Sequence, residues 1–224
     1  MGCPTHAKDI VKRLRAIDKL LAKRYGKKVW SKRSNAIDVL IRTILSQQTN
    51  DEACNAAYSN LTRRFKSHNE IVSAPLGEIE DAIKAAGLSK QKARYIKGCL
   101  ERILSDFGEL SIDELAKMDT ESAMSYLTSL PGVGLKTAAC VLLFAFGKPV
   151  FPVDTHIHRI AKRMNLIKGD ASAAEAQVYL DSVIPDEIKY QLHLNLIEHG
   201  RRVCTSRKPL CESCSIKWHC KRNI

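Results

Sequence analysis

The sequence of 224 residues contains no long hydrophobic run. Its longest uninterrupted apolar stretch, residues 138–146, has nine residues, which is about half of what a membrane-spanning helix needs. A signal segment is not visible either, because a charged helical pattern begins within ten residues of Met1. Yet 45% of the residues are hydrophobic, too many for a disordered chain. We therefore expect a soluble intracellular protein of one large or two small domains.

Strand-like alternation of polar and apolar residues is also scarce. Only the segment 149–153 looks extended, and its two prolines argue against a central strand. Apolar residues instead recur with the 3.6-residue period of helices, and a capping-box pattern at Ser111 and Glu114 favours a helix start there. The sequence thus predicts an all-α fold. The predicted helices are a first one ending near Gly26 and others over 37–45, 51–65, 78–86, 89–105, 112–117, 121–129, 135–146, 155–165, 173–183 and 186–199.

The net charge of +12 is concentrated at the two chain ends. Residues 1–33 contain eleven Lys or Arg and two Asp, and residues 199–224 contain seven Lys or Arg and one Glu. The stretch between them has 18 basic and 21 acidic residues. If the ends pack together, they form one basic face of the kind that binds nucleic acid. A solvated charged surface is the ordinary alternative. An anionic membrane surface is disfavoured, because no stretch pairs this charge with an apolar aromatic face.

Four of the eight cysteines lie within 17 residues, in the pattern Cys204-x6-Cys211-x2-Cys214-x5-Cys220. Thiolates this close indicate one metal site, and by chemistry alone both a zinc ion and a [4Fe–4S] cluster are admissible. The spacing differs from the paired Cys-x2-Cys motifs of common zinc ribbons, which favours iron–sulfur without deciding it. The other cysteines are the scattered Cys3, Cys54, Cys99 and Cys140, of which the last three fall inside predicted helices as small core residues.

The loop between the first two of these cysteines contains Arg207 and Lys208. Two cations on a loop held by a metal suit contact with phosphates. A solvated loop tip explains them equally well.

The segment Leu130-Pro131-Gly132-Val133-Gly134 joins two predicted helices through a tight turn. Glycines let the backbone approach a ligand closely, and the N–H groups at the start of the next helix point towards an anion. Gly132 and Gly134 are therefore candidates for binding a phosphate. Taken alone, the pattern also fits an ordinary connection between helices.

Lys136 lies in the first turn of the helix after this turn. A cation is unfavourable at that end of the helix dipole, and the apolar neighbours Val133, Leu135 and Ala139 also disfavour the ammonium, which favours a nucleophilic amine. A solvated surface lysine is the common alternative. Asp154, eighteen residues later, opens another predicted helix. It fits a plain N-cap and, compatibly, a carboxylate that acts together with the lysine.

Together these motifs resemble the endonuclease III family of the helix-hairpin-helix DNA glycosylase superfamily. The segment 130–134 with Lys136, the segment 153–156 with Asp154, and the full cysteine spacing occur in the order of that family. The resemblance extends from Ile37 to Cys220. Each motif alone is weak to moderate evidence for the family, whereas the three motifs in this order are specific evidence for it.

The resemblance implies a two-lobed all-α fold with a DNA-binding cleft between a six-helix barrel, residues 34–149, and a [4Fe–4S] cluster domain that joins 1–33 to 150–224. It implies a monomer that binds double-stranded DNA containing damaged bases or abasic sites and does not bind a membrane. It places such a protein in the cytoplasm and nucleoid of a prokaryote.

The resemblance also implies roles for individual residues. Lys136 corresponds to the nucleophile, and Asp154 to the carboxylate that stabilises a developing sugar cation. Gln48 and Leu88, which we call the wedge residues, correspond to side chains that fill the space left by an extruded base. The implied DNA contacts are Gly132, Gly134, Arg159, Arg207 and Lys208, and the implied cluster ligands are Cys204, Cys211, Cys214 and Cys220.

The leading functional hypothesis is a bifunctional DNA glycosylase and AP lyase acting on oxidised pyrimidines such as thymine glycol. A related glycosylase with another base preference is the alternative among enzymes. A catalytically silent DNA-binding module is the alternative from another class, and the combination of Lys136 with Asp154 argues against it.

Overall fold

The computed structural model describes residues 4–32 and 34–221, with side chains from residue 8 onward. Cys3 and parts of both basic ends lie outside the described residues. Within the described ranges every regular element is helical, and no helix is both long and apolar enough to span a membrane. The chain divides into two compact units, Lys32–Lys148 and the combination of Met1–Ser31 with Pro149–Ile224.

The unit Lys32–Lys148 is built around helix α8 (Leu135–Phe146), which is largely buried after its first turn. Helix α2 (Ala36–Leu45) packs on it through an apolar face whose residues, such as Ile37, Leu40 and Ile44, are fully buried as the 3.6-residue period predicts. Cys54, Cys99 and Cys140 are buried as predicted. The α-helices of this unit are α2 (Ala36–Leu45), α3 (Asp51–Arg64), α4 (His68–Ser73), α5 (Leu76–Ala82), α6 (Ser89–Phe107), α7 (Thr120–Ser129) and α8 (Leu135–Phe146).

The other unit brings the two ends of the chain together, since its first helix packs against its last. Its core contains Leu14, Ile17 and Leu21 from the first helix and Leu192 and Leu196 from the last. The helices of this unit are α1 (Pro4–Tyr25), α9 (Thr155–Arg163), α10 (Ala173–Val183) and α11 (Asp186–Arg202).

Three local predictions were wrong. The predicted helix over 78–86 is instead α5 followed by a short 3-10 helix, Lys84–Ala86, and α4 was not predicted because it is only six residues long. The capping box at Ser111 is also absent, because the segment Asp113–Ala116 is a 3-10 helix and Glu114 pairs with Lys117. A capping box does occur at Ser172 and Glu175, where α10 begins.

Candidate active site and cysteine cluster

The turn between α7 and α8 needs a glycine at its centre. Gly132 has a φ angle of +71°, and a β-carbon there would lie 2.2 Å from the ring of Tyr95. Gly134 is the N-cap of α8, and a β-carbon at that position would meet no described atom within 4 Å. The backbone at Gly134 can therefore be approached closely, next to the first N–H groups of α8, where an anion would bind.

Two side chains from other helices hold this turn in place. Gln47 Nε2 donates to the carbonyl of Gly132 at 3.0 Å and lies 3.3 Å from Thr137 Oγ1. Cys99 Sγ donates to the carbonyl of Pro131 at 3.3 Å. Burial raises the pKa of Cys99 to about 12, so that the group remains a thiol and keeps its donor proton. The turn is thus positioned before any ligand binds.

Lys136 is exposed at the start of α8, and its ammonium makes no hydrogen bond or ion pair with a described residue of its own unit. The predicted apolar surroundings form only in part: Val133 and Ala139 are buried, but Leu135 is 43% exposed. The amine is consequently available to a ligand that approaches the N-terminus of α8.

Asp154 begins α9 as an N-cap, and its Oδ1 accepts a hydrogen bond of 2.8 Å from the N–H of Ile157. The residue is only half-buried. The side chain has two carboxylate oxygens, and capping uses one of them, so that the other remains available for chemistry.

The extended segment leading to Asp154 is held by side chains from two helices of its own unit rather than by a neighbouring strand. The Lys189 ammonium donates to the carbonyl of Pro149 at 2.8 Å, and His193 Nδ1 donates to that of Pro152 at 3.0 Å. The backbone N–H of residue 151 donates to Asp181, and that of residue 153 donates to Gln177. These partners come from α10 and α11, and they fix the approach to Asp154 within one unit.

Both wedge residues are exposed and have left-handed backbones. The φ angle is +51° at Gln48 and +48° at Leu88, and Leu88 is 51% exposed. Leu88 is therefore not a core residue, although it is the N-cap of α6. For a non-glycine residue this conformation costs about 1–2 kcal/mol, and such strain is concentrated at functional sites.

Lys92 is a buried charged residue that the sequence analysis did not single out. It is 1% exposed, and its ammonium donates to the carbonyls of Leu45 and Ala86, each at 2.8 Å. Burial lowers its pKa, while the nearby Cys54 acts in the opposite direction. The available signal was its register, because Lys92 lies four residues before the buried Ile96 on the apolar face of α6.

The four clustered cysteines line one small cavity, together with apolar side chains such as Val203 and Leu210. No three His, Cys, Asp or Glu side chains among residues 8–32 and 34–221 are grouped so as to hold a single metal ion. Cys204 Sγ accepts a hydrogen bond of 3.3 Å from Arg163, whose guanidinium also donates to the carbonyls of Thr205 and Ser206. Arg163 thereby fixes the loop that follows the first cysteine.

A second donor points at this cavity from α11. Tyr25 Oη lies 2.9 Å from His199 Nδ1, and His199 Nε2 lies 3.5 Å from Cys214 Sγ. Burial, with a smaller contribution from Arg24, lowers the pKa of His199 to about 4, so that the ring is neutral at pH 7. With the Tyr25 hydroxyl donating to Nδ1, the proton on Nε2 faces the sulfur. Cys204 thus accepts from a cation and Cys214 from an N–H group, and donors of this kind stabilise an anionic sulfur-ligated group.

The predicted phosphate-binding cations differ in their surroundings. The side chains of Arg207 and Lys208 are exposed and make no hydrogen bond or ion pair within the described part of their unit. Arg159 instead donates to the carbonyls of Gly200 and Cys204, at 2.9–3.0 Å. In this structure Arg159 joins α9 to the end of α11.

Comparison with known proteins places the chain in a family. A family model described as HhH-GPD superfamily base excision DNA repair protein matches residues 41–186. The chain therefore belongs to the HhH-GPD superfamily of base excision DNA repair proteins. Endonuclease III of Sulfolobus acidocaldarius is 35% identical over 195 residues, which cover 86% of this chain and 85% of that protein. Within the superfamily, the chain is a member of the endonuclease III family.

Solved structures agree with this assignment. A non-covalent endonuclease III–DNA complex matches with a TM-score of 0.80 and 31% identity, covering 94% of this chain and 95% of that one. A trapped endonuclease III–DNA covalent intermediate matches with the same values. The predicted family and the predicted all-α helix-hairpin-helix glycosylase fold are confirmed.

Proposed function

We propose that this protein is a DNA glycosylase with AP lyase activity that removes oxidised pyrimidines, such as thymine glycol, from double-stranded DNA. The observation that carries the proposal is Lys136, an exposed amine in the first turn of α8, directly after a preorganised glycine hairpin and without a hydrogen bond or ion pair in the described part of its unit. The endonuclease III relatives support the same chemistry, since one of them is known as a trapped covalent DNA intermediate.

In the proposed reaction the Lys136 amine attacks C1′ of the damaged nucleotide while the bond from C1′ to the base breaks. The base leaves with a proton, and the sugar ring opens to a Schiff base between C1′ and Nζ. Loss of a C2′ proton then breaks the bond from C3′ to its phosphate oxygen by β-elimination. The amine is thus the nucleophile, and the protonated Schiff base formed from it is the electron sink for strand cleavage.

Asp154 is proposed to stabilise the positive charge that develops on the sugar and to assist proton transfer. Its support is local. The carboxylate is held by its own N-cap bond and by the clamped segment before it, so little reorganisation is needed. Lys136 and Asp154 belong to different units, and the pairing of their roles rests on the sequence resemblance.

The contacts with the DNA backbone are assigned to exposed N–H groups and cations. Gly132 and Gly134 would present backbone N–H groups to one phosphate, and Arg207 and Lys208 would meet others. Arg159, whose guanidinium is occupied by backbone carbonyls, would contribute by fixing the end of α11. The wedge residues Gln48 and Leu88 would enter the stack where the base has left it.

We expect the phosphate-contacting and wedge residues to respond differently to salt. Arg207→Ala or Lys208→Ala should weaken lesion and intact duplexes about equally, and each should lower the slope of log K against log salt by about 1. Gln48→Ala or Leu88→Ala removes no charge, so the slope should not change. These variants should weaken only the complex with an extruded base, by about 1–3 kcal/mol. Titrations of both duplexes at several salt concentrations measure this.

Either of two results would contradict these assignments. One is an equal loss of affinity for both duplexes in Gln48→Ala, and the other is an unchanged salt slope in Arg207→Ala.

A [4Fe–4S] cluster is the cofactor that we propose for Cys204, Cys211, Cys214 and Cys220. The fit rests on four sulfurs around one cavity with Arg163 and His199 donating towards them. When bound, the cluster supplies a covalent cross-link between the end of α11 and the last turns of the chain. Arg163 independently holds the loop that carries Arg207 and Lys208.

Metal analysis of the purified protein should give about four irons and four sulfides per chain, as this cluster type requires. Cys211→Ser should reduce the yield of soluble protein that binds DNA, because the metal bond also stabilises the fold. Cys54→Ser, in the other unit, is the control and should leave the iron content unchanged. One zinc per chain without sulfide would overturn the assignment.

The proposed function is tested by incubating the protein with duplexes that each contain one lesion. Thymine glycol should be released and the strand cut on its 3′ side, whereas an undamaged duplex should stay intact. Release of a different base would assign another specificity. Binding without base release or cleavage on any duplex would identify a silent DNA-binding module and refute the proposal.

A further inference from the structure

Lys92 connects two segments that are remote in sequence. Its ammonium bonds to the carbonyl of Leu45, the last residue of α2, and to that of Ala86, the last residue of the 3-10 helix Lys84–Ala86. Gln48 follows three residues after the first carbonyl, and Leu88 two residues after the second. One buried side chain thus bonds to the first residue of both wedge-bearing segments, 45–48 and 86–88.

The chemistry of this contact is favourable because of where the two carbonyls lie. The last carbonyls of a helix lack intrahelical partners and carry partial negative charge. A single ammonium therefore satisfies two helix ends with charge-assisted hydrogen bonds. Burying a charge is nevertheless costly, and an apolar residue of similar volume often stabilises a core as well. Stability alone is a weak reason for a lysine at this position.

The backbone strain gives the second, independent observation. Among the described residues, three other than glycine have left-handed backbones: Gln48, Leu88 and Asn165. Asparagine adopts this conformation readily, whereas glutamine and leucine do not. The two unfavourable cases are therefore the two wedge residues, at the ends of the segments that Lys92 holds. Such strain persists only where the surrounding structure over-determines it.

We propose that Lys92 is a positioning residue that fixes the separation and backbone conformation of segments 45–48 and 86–88, so that Gln48 and Leu88 enter the base stack as a preorganised pair. This inference rests on the proposed function, in which these two side chains replace an extruded base. It assigns Lys92 no contact with DNA.

The test compares Lys92→Met with Lys97→Met. Lys97 lies on the same helix and also donates to a backbone carbonyl, that of Ala74, at 2.7 Å, but it holds neither wedge segment. Misplacement of a positioning group by about 1 Å can cost 10²-fold in rate. Lys92→Met should therefore slow excision of a base-paired lesion about 10- to 100-fold. Strand cleavage at a preformed abasic site needs no base extrusion and should stay within about twofold of wild type. Lys97→Met should leave both rates within about twofold.

A double-mutant cycle separates action through the wedges from general destabilisation. In a Gln48→Ala, Leu88→Ala background, Lys92→Met should slow excision by no more than about twofold, because the two side chains that Lys92 positions have already been removed. Thermal unfolding checks that each variant is folded at the assay temperature. If Lys92→Met is not folded, Lys92→Gln, whose amide can still donate a hydrogen bond, should show the same selective loss at smaller size.

The outcomes distinguish the two proposals. If wild type neither excises lesions nor cuts abasic sites, the proposed function fails. If wild type does both and the wedge variants are selectively impaired, equal losses on paired lesion and abasic site in Lys92→Met or Lys92→Gln would overturn only the role of Lys92. Full additivity in the double-mutant cycle would overturn it as well.

Discussion

Lys136→Gln is expected to abolish covalent trapping of the protein on abasic or lesion-bearing DNA by borohydride. Borohydride reduces a Schiff base to a stable amine, so that trapping reports the nucleophilic amine directly. Glutamine keeps most of the side-chain length but has no nucleophilic nitrogen. Lys136 makes no hydrogen bond or ion pair within the described part of its unit, so the fold and the binding of duplex DNA should be largely preserved.

The matched control is Lys117→Gln, which removes the same charge from another exposed lysine of the same unit. The Lys117 ammonium is hydrogen-bonded to Glu114, which raises the pKa of Lys117. This variant should be trapped like wild type. Gel analysis of trapped complexes and a parallel binding titration measure both effects. Undiminished trapping of Lys136→Gln would move the nucleophile to another residue.

Asp154→Asn should slow removal of the damaged base by about 10²-fold or more, the loss expected for positioned charge stabilisation or proton transfer. The structure makes this substitution informative because an asparagine caps helices about as well as an aspartate. The amide oxygen of the substituted side chain could still accept the hydrogen bond from the N–H of Ile157. The start of α9 and the thermal stability should therefore change little, while the negative charge is lost.

Two further variants separate capping from catalysis. Asp119→Asn makes the same change at the N-cap of α7, where Asp119 accepts from the N–H of Ser122 at 2.8 Å, and should leave the excision rate unchanged. Asp154→Ala removes the cap as well and should cost an additional 0.5–2 kcal/mol of stability, about the usual value. Single-turnover excision rates and thermal unfolding measure these effects. A small effect of Asp154→Asn would leave Asp154 as a helix cap only.

The helices were largely predictable because each reflects the pattern of its own residues. The bounds of α8 and α10 agree with prediction, since an apolar period and a following glycine or proline specify them locally. Predictions were poorest where helices are short. The helix α4 and the 3-10 helix Asp113–Ala116 contain too few residues to show a period, and their conformation depends on packing.

The features of the candidate site likewise divide into those that the sequence predicts and those that depend on tertiary contacts. Lys136, Asp154 and the four clustered cysteines could be proposed as site residues because their spacing along the chain carries the signal. The interactions of Lys92 and Gln47 were not identifiable, because each bonds to a backbone carbonyl more than five residues away, and a carbonyl leaves no mark in the sequence. The orientation of Arg159 towards Gly200 and Cys204 was missed for the same reason.

The sequence alone determined that the protein is helical, that it has a glycine hairpin followed by a lysine, and that four cysteines lie within 17 residues of one another. These features depend on residue type and on separations of a few residues. Only the tertiary structure decided that Gln48 and Leu88 are exposed with left-handed backbones, and that the segment before Asp154 is held by side chains. The physical reason is that glutamine and leucine by themselves disfavour φ above zero, so that only contacts from elsewhere in the fold can impose this conformation. The contact that holds segment 45–48 against this preference comes from Lys92, which lies 47 positions after Leu45 in the chain.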